Sequence, residues 1–157
     1  MELIPSFTID HLHLQPGIYI SRQDSIEGNI ITTYDIRMTA PNAEPALGAS
    51  AIHTIEHLVA TYLRNDEEWK DRIIYWGPMG CLTGNYLIMK GEYSCEEIRT
   101  LMLDAFRFVA EYDDVVPGTA PEACGNYLLH NLPMAKYEAK RYIQRLTDHF
   151  CCEYPTL

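Results

Sequence analysis

The chain has little positive charge. Its 157 residues carry 12 lysines and arginines against 22 aspartates and glutamates, for a net charge of -10. Nucleic acid and anionic membranes both need a basic footprint on the protein, so neither is expected as the main partner. The same imbalance favours solubility. No apolar run is long enough to span a bilayer. The opening Met1-Glu2-Leu3-Ile4-Pro5-Ser6 lacks the basic segment and apolar core of a secretory leader, and a cytoplasmic location is therefore expected. Five cysteines (Cys81, Cys95, Cys124, Cys151 and Cys152) are too few and odd in number for a disulfide framework at this length. As thiols, some are free for metal ligation or catalysis. Repeats and low-complexity runs are also missing.

What remains is an ordinary globular balance, 47% apolar and 22% charged, long enough for one sizeable core. Residues 1–157 are expected to form a single domain. Its most informative stretch is His53-Thr54-Ile55-Glu56-His57. It lies in a run from Leu47 to Arg64 with apolar residues at Ala51, Ile52, Ile55, Leu58, Val59, Tyr62 and Leu63, which is helical spacing. Two imidazoles four apart on a helix lie one turn above the other and are able to grip one metal ion. Glu56 hangs at the edge of the same face. The bland alternative is a pair of hydrogen-bonded helix histidines. Three ionisable groups on so apolar a helix make that alternative costly.

Around this helix the chain alternates. Ile4 to Leu14, with Phe7, Ile9, His11 and His13 at period two, reads as an extended segment or first strand. Strands are expected over Gly17 to Arg22 and Ile30 to Met38, with a turn at Gly28-Asn29. Short strands at Ile73 to Trp76 and Asn85 to Met89 flank a Gly77-Pro78-Met79-Gly80-Cys81 turn. Ser94 is a fair cap for a helix to about Tyr112, with Glu96 and Glu97 in its first turn. Ala135 to Phe150 reads as a last helix. The order predicts an α+β fold, an antiparallel sheet covered on one face by helices in a single two-layer domain.

A catalytic metal site needs a third ligand and an open position. Cys124, before the turn-forming Gly125, is a candidate, and a His/His/Cys set suits Zn²⁺ or Fe²⁺. The other reading of Cys124 is a buried small hydrophobe. Cys81 also has two readings, either a reactive thiol where small residues let a substrate approach, or a packed residue in a plain turn. Cys151 and Cys152 are expected to be packing or incidental residues rather than ligands, Cys95 a helix-start thiol open to a lowered pKa but without an obvious partner, and His149 a surface residue.

With these residues in view, the chain resembles the S-ribosylhomocysteine lyases, which make the precursor of the autoinducer-two quorum-sensing signal. The resemblance runs through Ser6-Phe7-x-x-Asp10-His11, Tyr34-Asp35-Ile36-Arg37 and His53-Thr-Ile-Glu56-His57-Leu. It continues through Pro78-Met-Gly-Cys81-x-Thr-Gly84-x-Tyr-Leu, Cys124-Gly-Asn and Leu129-His130-Asn-Leu. It implies a carbon–sulfur lyase that converts S-ribosylhomocysteine to homocysteine and 4,5-dihydroxy-2,3-pentanedione, by metal-assisted carbonyl migration and β-elimination. It implies a homodimer with active sites at the interface. It assigns His53, His57 and Cys124 to one Fe²⁺ per subunit, replaceable by Zn²⁺ or Co²⁺. Cys81 and Glu56 become the acid/base pair, and Ser6, His11 and Arg37 line the substrate pocket. The chain departs from the family pattern in two places: Leu82 stands where a polar residue is expected, and Tyr75-Trp76 where an acid is common. Both bear on pocket polarity. The rival reading is an inverted-motif HxxEH zinc metallopeptidase, whose third ligand would be a carboxylate such as Glu122 or Glu138.

Overall fold

A computed structural model describes residues 4–156. Four antiparallel strands, β1 (Gly17–Ile26), β2 (Asn29–Arg37), β3 (Ile73–Pro78) and β4 (Gly84–Lys90), lie in the order β1-β2-β4-β3. Three 17-residue helices, α1 (Ala49–Asn65), α2 (Cys95–Glu111) and α3 (Leu132–Asp148), pack against this sheet. The expected α+β layering is what the chain adopts.

The layers follow from two periodicities. Along β2, Thr32, Tyr34 and Ile36 turn inward, and on β4 Leu87 and Met89 do the same. They meet Ile52, Ile55, Leu58 and Val59 of α1, Ile98, Met102 and Phe106 of α2, and Ala135, Ala139 and Tyr142 of α3. Each wholly buried leucine or isoleucine contributes on the order of 1.5–3 kcal/mol, so this seam holds the two layers together. Among the described residues, none of the three α-helices covers the opposite sheet face. Ile31, Thr33, Tyr75, Tyr86 and Ile88 line an open groove there of about 870 Å³.

Local chemistry sets the ends. Glu27 and Gly28 both take positive φ (50° and 79°), which suits the twist of a two-residue hairpin loop joining β1 to β2. Ser94 builds a full capping box for α2: its hydroxyl accepts the Glu97 N–H at 3.3 Å, and the Glu97 carboxylate accepts the Ser94 N–H at 2.8 Å. Helix α3 begins three residues before the expected Ala135, because Asn131 caps the Met134 N–H at 3.0 Å and a proline is tolerated in a first turn. Leu47 stands outside α1 and donates its N–H to the Leu82 carbonyl.

The N-terminal segment differs from its expected extended form. Residues Pro5–Phe7 make a 3-10 turn, and β1 pairs only with β2 on that side of the sheet. The Asp10 carboxylate takes the Leu12 N–H and the His13 ring. Such side-chain bonds offer the backbone a local alternative to a sheet ladder.

The other end of the chain returns to β1. The Ile18 N–H donates to the Cys151 carbonyl at 3.0 Å, and the Tyr154 ring stacks on Tyr19 at 4.6 Å. Gly17 permits this approach, since a Cβ there would stand 2.3 Å from the Cys151 carbonyl oxygen.

Candidate active site

Helix α1 turns its apolar residues to the core and leaves His53, Glu56 and His57 half-buried at its margin. The two imidazoles lie one turn apart, with centroids 4.7 Å from each other. Each is aimed by its far nitrogen. His53 Nδ1 donates to the Leu129 carbonyl at 2.6 Å, and His57 Nδ1 donates to the Pro117 carbonyl at 2.8 Å. A carbonyl only accepts, so both Nδ1 atoms carry the proton and both Nε2 atoms keep a lone pair.

Cys124 comes from the irregular stretch between α2 and α3, 71 positions away from His53, and places its Sγ 3.5 Å from His53 Nε2. Metal bonds of about 2.0–2.3 Å in a tetrahedral site put neighbouring donors about 3.3–3.8 Å apart, so this spacing suits two ligands of one ion. The Asn126 N–H points at the Cys124 sulfur from 3.5 Å.

A fourth donor joins them. His130 stacks on His53 at 4.1 Å, and its Nδ1 lies 3.1 Å from the Thr54 hydroxyl. That hydroxyl donates to the Ser50 carbonyl and accepts the Asn131 N–H, so its remaining lone pair takes the proton on His130 Nδ1. Nε2 of His130 is then a bare lone pair, buried and without a hydrogen-bond partner among the described residues. Burial and the neighbouring His53 and His57 push this imidazole down to about 4, keeping it neutral. The donor atoms of His53, His57, Cys124 and His130 all lie within 4.8 Å of one another, a set of imidazoles and a thiolate well matched to a divalent transition metal. His130 is the residue sequence reasoning missed as a possible donor. Its only signal was its place just before a helix cap, in the Leu129-His130-Asn131 motif.

The carboxylates required by the peptidase reading are elsewhere. Glu122 is exposed, and Glu138 is buried in a 2.9 Å ion pair with Arg141. Neither belongs to the cluster, and Cys124 does.

The second group of residues gathers where β2 ends and β4 begins. The Cys81 turn is closed by the Leu82 N–H on the Met79 carbonyl, with Leu82 at φ 58°. The Leu82 side chain packs against the core, Trp76 is buried in that core, and Tyr75 lies on the open sheet face. Gly84 is small for a reason other than substrate access. A Cβ there would meet the Ile36 carbonyl oxygen of the neighbouring strand at 2.3 Å.

Beside Cys81, Arg37 spans three partners. Its Nε and Nη2 clamp the Asp35 carboxylate at 3.1 and 2.6 Å, and its Nη1 donates to the Thr83 hydroxyl at 2.6 Å. The same Nη1 lies 3.8 Å from Cys81 Sγ. Thr83, its oxygen occupied by Arg37, is free to donate to the sulfur 3.1 Å away. Burial pushes the Cys81 thiol up, but the Thr83 bonds and the Arg37 charge outweigh it and hold the thiol below its ordinary value. Burial also raises the Asp35 carboxyl, against the pull of Arg37.

Replacing Arg37 by Met therefore leaves a buried carboxylate unpaired, at an expected cost of about 3–5 kcal/mol in urea unfolding. With its counterion gone, Asp35 has a folded-state pKa above its unfolded one. Part of the loss should return as pH falls through that raised value and the carboxyl becomes neutral.

The expected pocket residues fall in two places. His11, held by its Nδ1 on the Ile9 carbonyl, is near enough to Asp35 for its charge to act there. Ser6 lines the open sheet-face groove. Tyr86 connects the two, since it lines that groove and lies within the fields of Asp35 and Cys81. Glu56 faces a shallow opening with His57, Pro117 and Gly118. Among the described residues, no hydrogen bond or ion pair links the imidazole cluster to the Arg37–Cys81 network.

These features define a class: an α+β protein with a helix-borne pair of imidazoles, a distant thiol able to share a metal with them, and a second, charge-supported thiol. A family model described as S-Ribosylhomocysteinase (LuxS) matches residues 4–151. The chain is 59% identical over 159 residues to the S-ribosylhomocysteine lyase of Phocaeicola vulgatus, covering 99% of each. It is 60% identical over 148 residues to that of Porphyromonas gingivalis, covering 94% of this chain and 93% of the relative. It is 51% identical over 142 residues to that of Clostridium acetobutylicum, covering 90% of each. The chain belongs to the S-ribosylhomocysteinase family.

Proposed function

We propose that residues 1–157 form a single metal-dependent lyase domain that cleaves S-ribosylhomocysteine to homocysteine and 4,5-dihydroxy-2,3-pentanedione. The observation that carries this reading is the convergence of His53, His57 and Cys124, which a peptidase of the HxxEH class has no use for in this combination. These three hold one Fe²⁺ per subunit, with Zn²⁺ or Co²⁺ as substitutes, and His130 Nε2 lies within the same group of donors. When bound, the ion supplies Lewis acidity that makes protons beside a sugar carbonyl easier to remove.

The substrate's carbonyl starts too far from the thioether to assist cleavage, so it must migrate along the sugar before elimination. Migration moves protons between adjacent carbons, and this is the work assigned to Cys81 and Glu56. Cys81 acts as the base in its thiolate form, stabilised by Thr83 and Arg37. Glu56 returns or removes the proton on the imidazole side. Arg37, His11 and Ser6 line the substrate pocket. Once the carbonyl reaches the third carbon, loss of a neighbouring proton expels the homocysteine sulfur.

Among the described residues of one chain, the thiol network and the imidazole cluster share no polar contact. Two copies meeting through the uncovered sheet face, where Tyr75, Ile88 and Ile31 are available, give the arrangement in which both sets serve one substrate. The working form is thus a homodimer with active sites at the interface. The location is cytoplasmic, and the product is the autoinducer-two precursor. Anaerobic purification tests the reading, with metal analysis and a thiol-release assay on the same sample. About one metal per chain and homocysteine release from S-ribosylhomocysteine are expected. Metal-loaded protein that releases no thiol would overturn it.

A further inference from the structure

The returning C-terminal tail carries a group for which the proposed reaction has no stated use. Tyr154 lies beyond Cys151, where the family match ends. Its ring stacks on Tyr19 with an interplanar angle of 8°, and its hydroxyl donates to Asp35 Oδ2 at 2.9 Å. Asp35 is almost wholly buried, and among the described residues its carboxylate has two donors, Arg37 and Tyr154. Arg37 turns its remaining nitrogen to Thr83 and to the Cys81 sulfur. An unbroken polar chain thus runs from the tail through Asp35 and Arg37 to the thiol.

We propose that Tyr154 is a positioning residue for Cys81, sharing the load of the buried Asp35 so that Arg37 remains directed at the sulfur. This rests on the reading of Cys81 as an acid/base group. A buried carboxylate must have its lone pairs satisfied. When a tyrosine hydroxyl takes part of that demand, less of the guanidinium's field is neutralised by Asp35 and more reaches the thiol. The other groups facing this chain include His11 from the N-terminal segment, Tyr86 from β4, Ser21 and Tyr19 from β1, and Tyr142 from α3. Among described side chains, Arg37 and Thr83 are the hydrogen-bonding partners of the sulfur.

The test is Tyr154→Phe in the full chain, which keeps the ring and its stack but removes the donor. Alkylation of Cys81 by iodoacetamide is followed across pH by mass spectrometry of the Cys81 peptide, so that the other thiols do not interfere. The midpoint should move up by about half a pH unit, slowing the reaction about threefold at neutral pH while the high-pH plateau stays unchanged. The kcat for thiol release should fall by a similar factor with KM unchanged. A chain ending at Glu153 should show at least the same shift.

Identical alkylation profiles for Tyr154→Phe and the parent overturn the proposal and mean that the tail only packs. A shift on truncation without one in Phe has the same meaning. If the parent releases no homocysteine yet the Phe variant still shifts the profile, the reaction reading fails and the Tyr154–Cys81 linkage stands.

Discussion

Cys124→Ala should lose the metal and, with it, all measurable thiol release. Removing a partner that merely orients a ligand costs about 10–100-fold in metal affinity, so removing a ligand itself should cost more than that. Three imidazoles would remain, His53 and His57 still aimed by Leu129 and Pro117 with His130 beside them, but neutral nitrogens without the anionic thiolate hold a divalent ion more weakly than the full set. The helices should persist, because Cys124 sits in a half-exposed turn outside the hydrophobic core. Circular dichroism beside metal analysis checks both halves of this expectation. A variant that retains metal one-to-one, and hydrolyses peptides, would reinstate the peptidase reading.

Cys81→Ala and Glu56→Ala should do the opposite to the metal. Each is expected to stay fully loaded and folded while kcat drops by about 10²–10⁴-fold, the usual contribution of a positioned proton carrier. Neither residue belongs to the group of donors within 4.8 Å of one another. The parent's pH profile should reflect the Thr83 and Arg37 support. The thiolate is present above its lowered pKa, so the acid limb of kcat should fall below the range of an ordinary thiol. Loss of metal from either variant would show that the roles are misassigned.

How far these residues could be read in advance depended on whether their partners were close in the chain. His53, Glu56 and His57 share one strongly periodic helix, so their common face followed from spacing alone. The capping box at Ser94 was equally local. Strand β1 was expected to span only Gly17 to Arg22. It runs on to Ile26 since the hairpin leaves Gln23 and Ser25 exposed and Asp24 half-buried along a paired edge. Asp35 and Arg37 alternate on a strand and so share a face, but nothing in their spacing shows that both are buried against Thr83 and a tyrosine from the tail. His130 depended on a hydroxyl 76 positions away. The left-handed turn at Leu82, which sends that side chain to the core, also has no local signal, since leucine rarely adopts positive φ.

The residues from Asp113 to His130 contain no helix or strand, yet two of their carbonyls, at Pro117 and Leu129, are fastened by imidazole N–H groups of α1. The shape of this long crossover is thus written largely in another segment, and it will be only as orderly as the two rings that grip it. Limited proteolysis between α2 and α3 should therefore report the state of α1: a cut there would show that the clasp had opened long before any helix came apart.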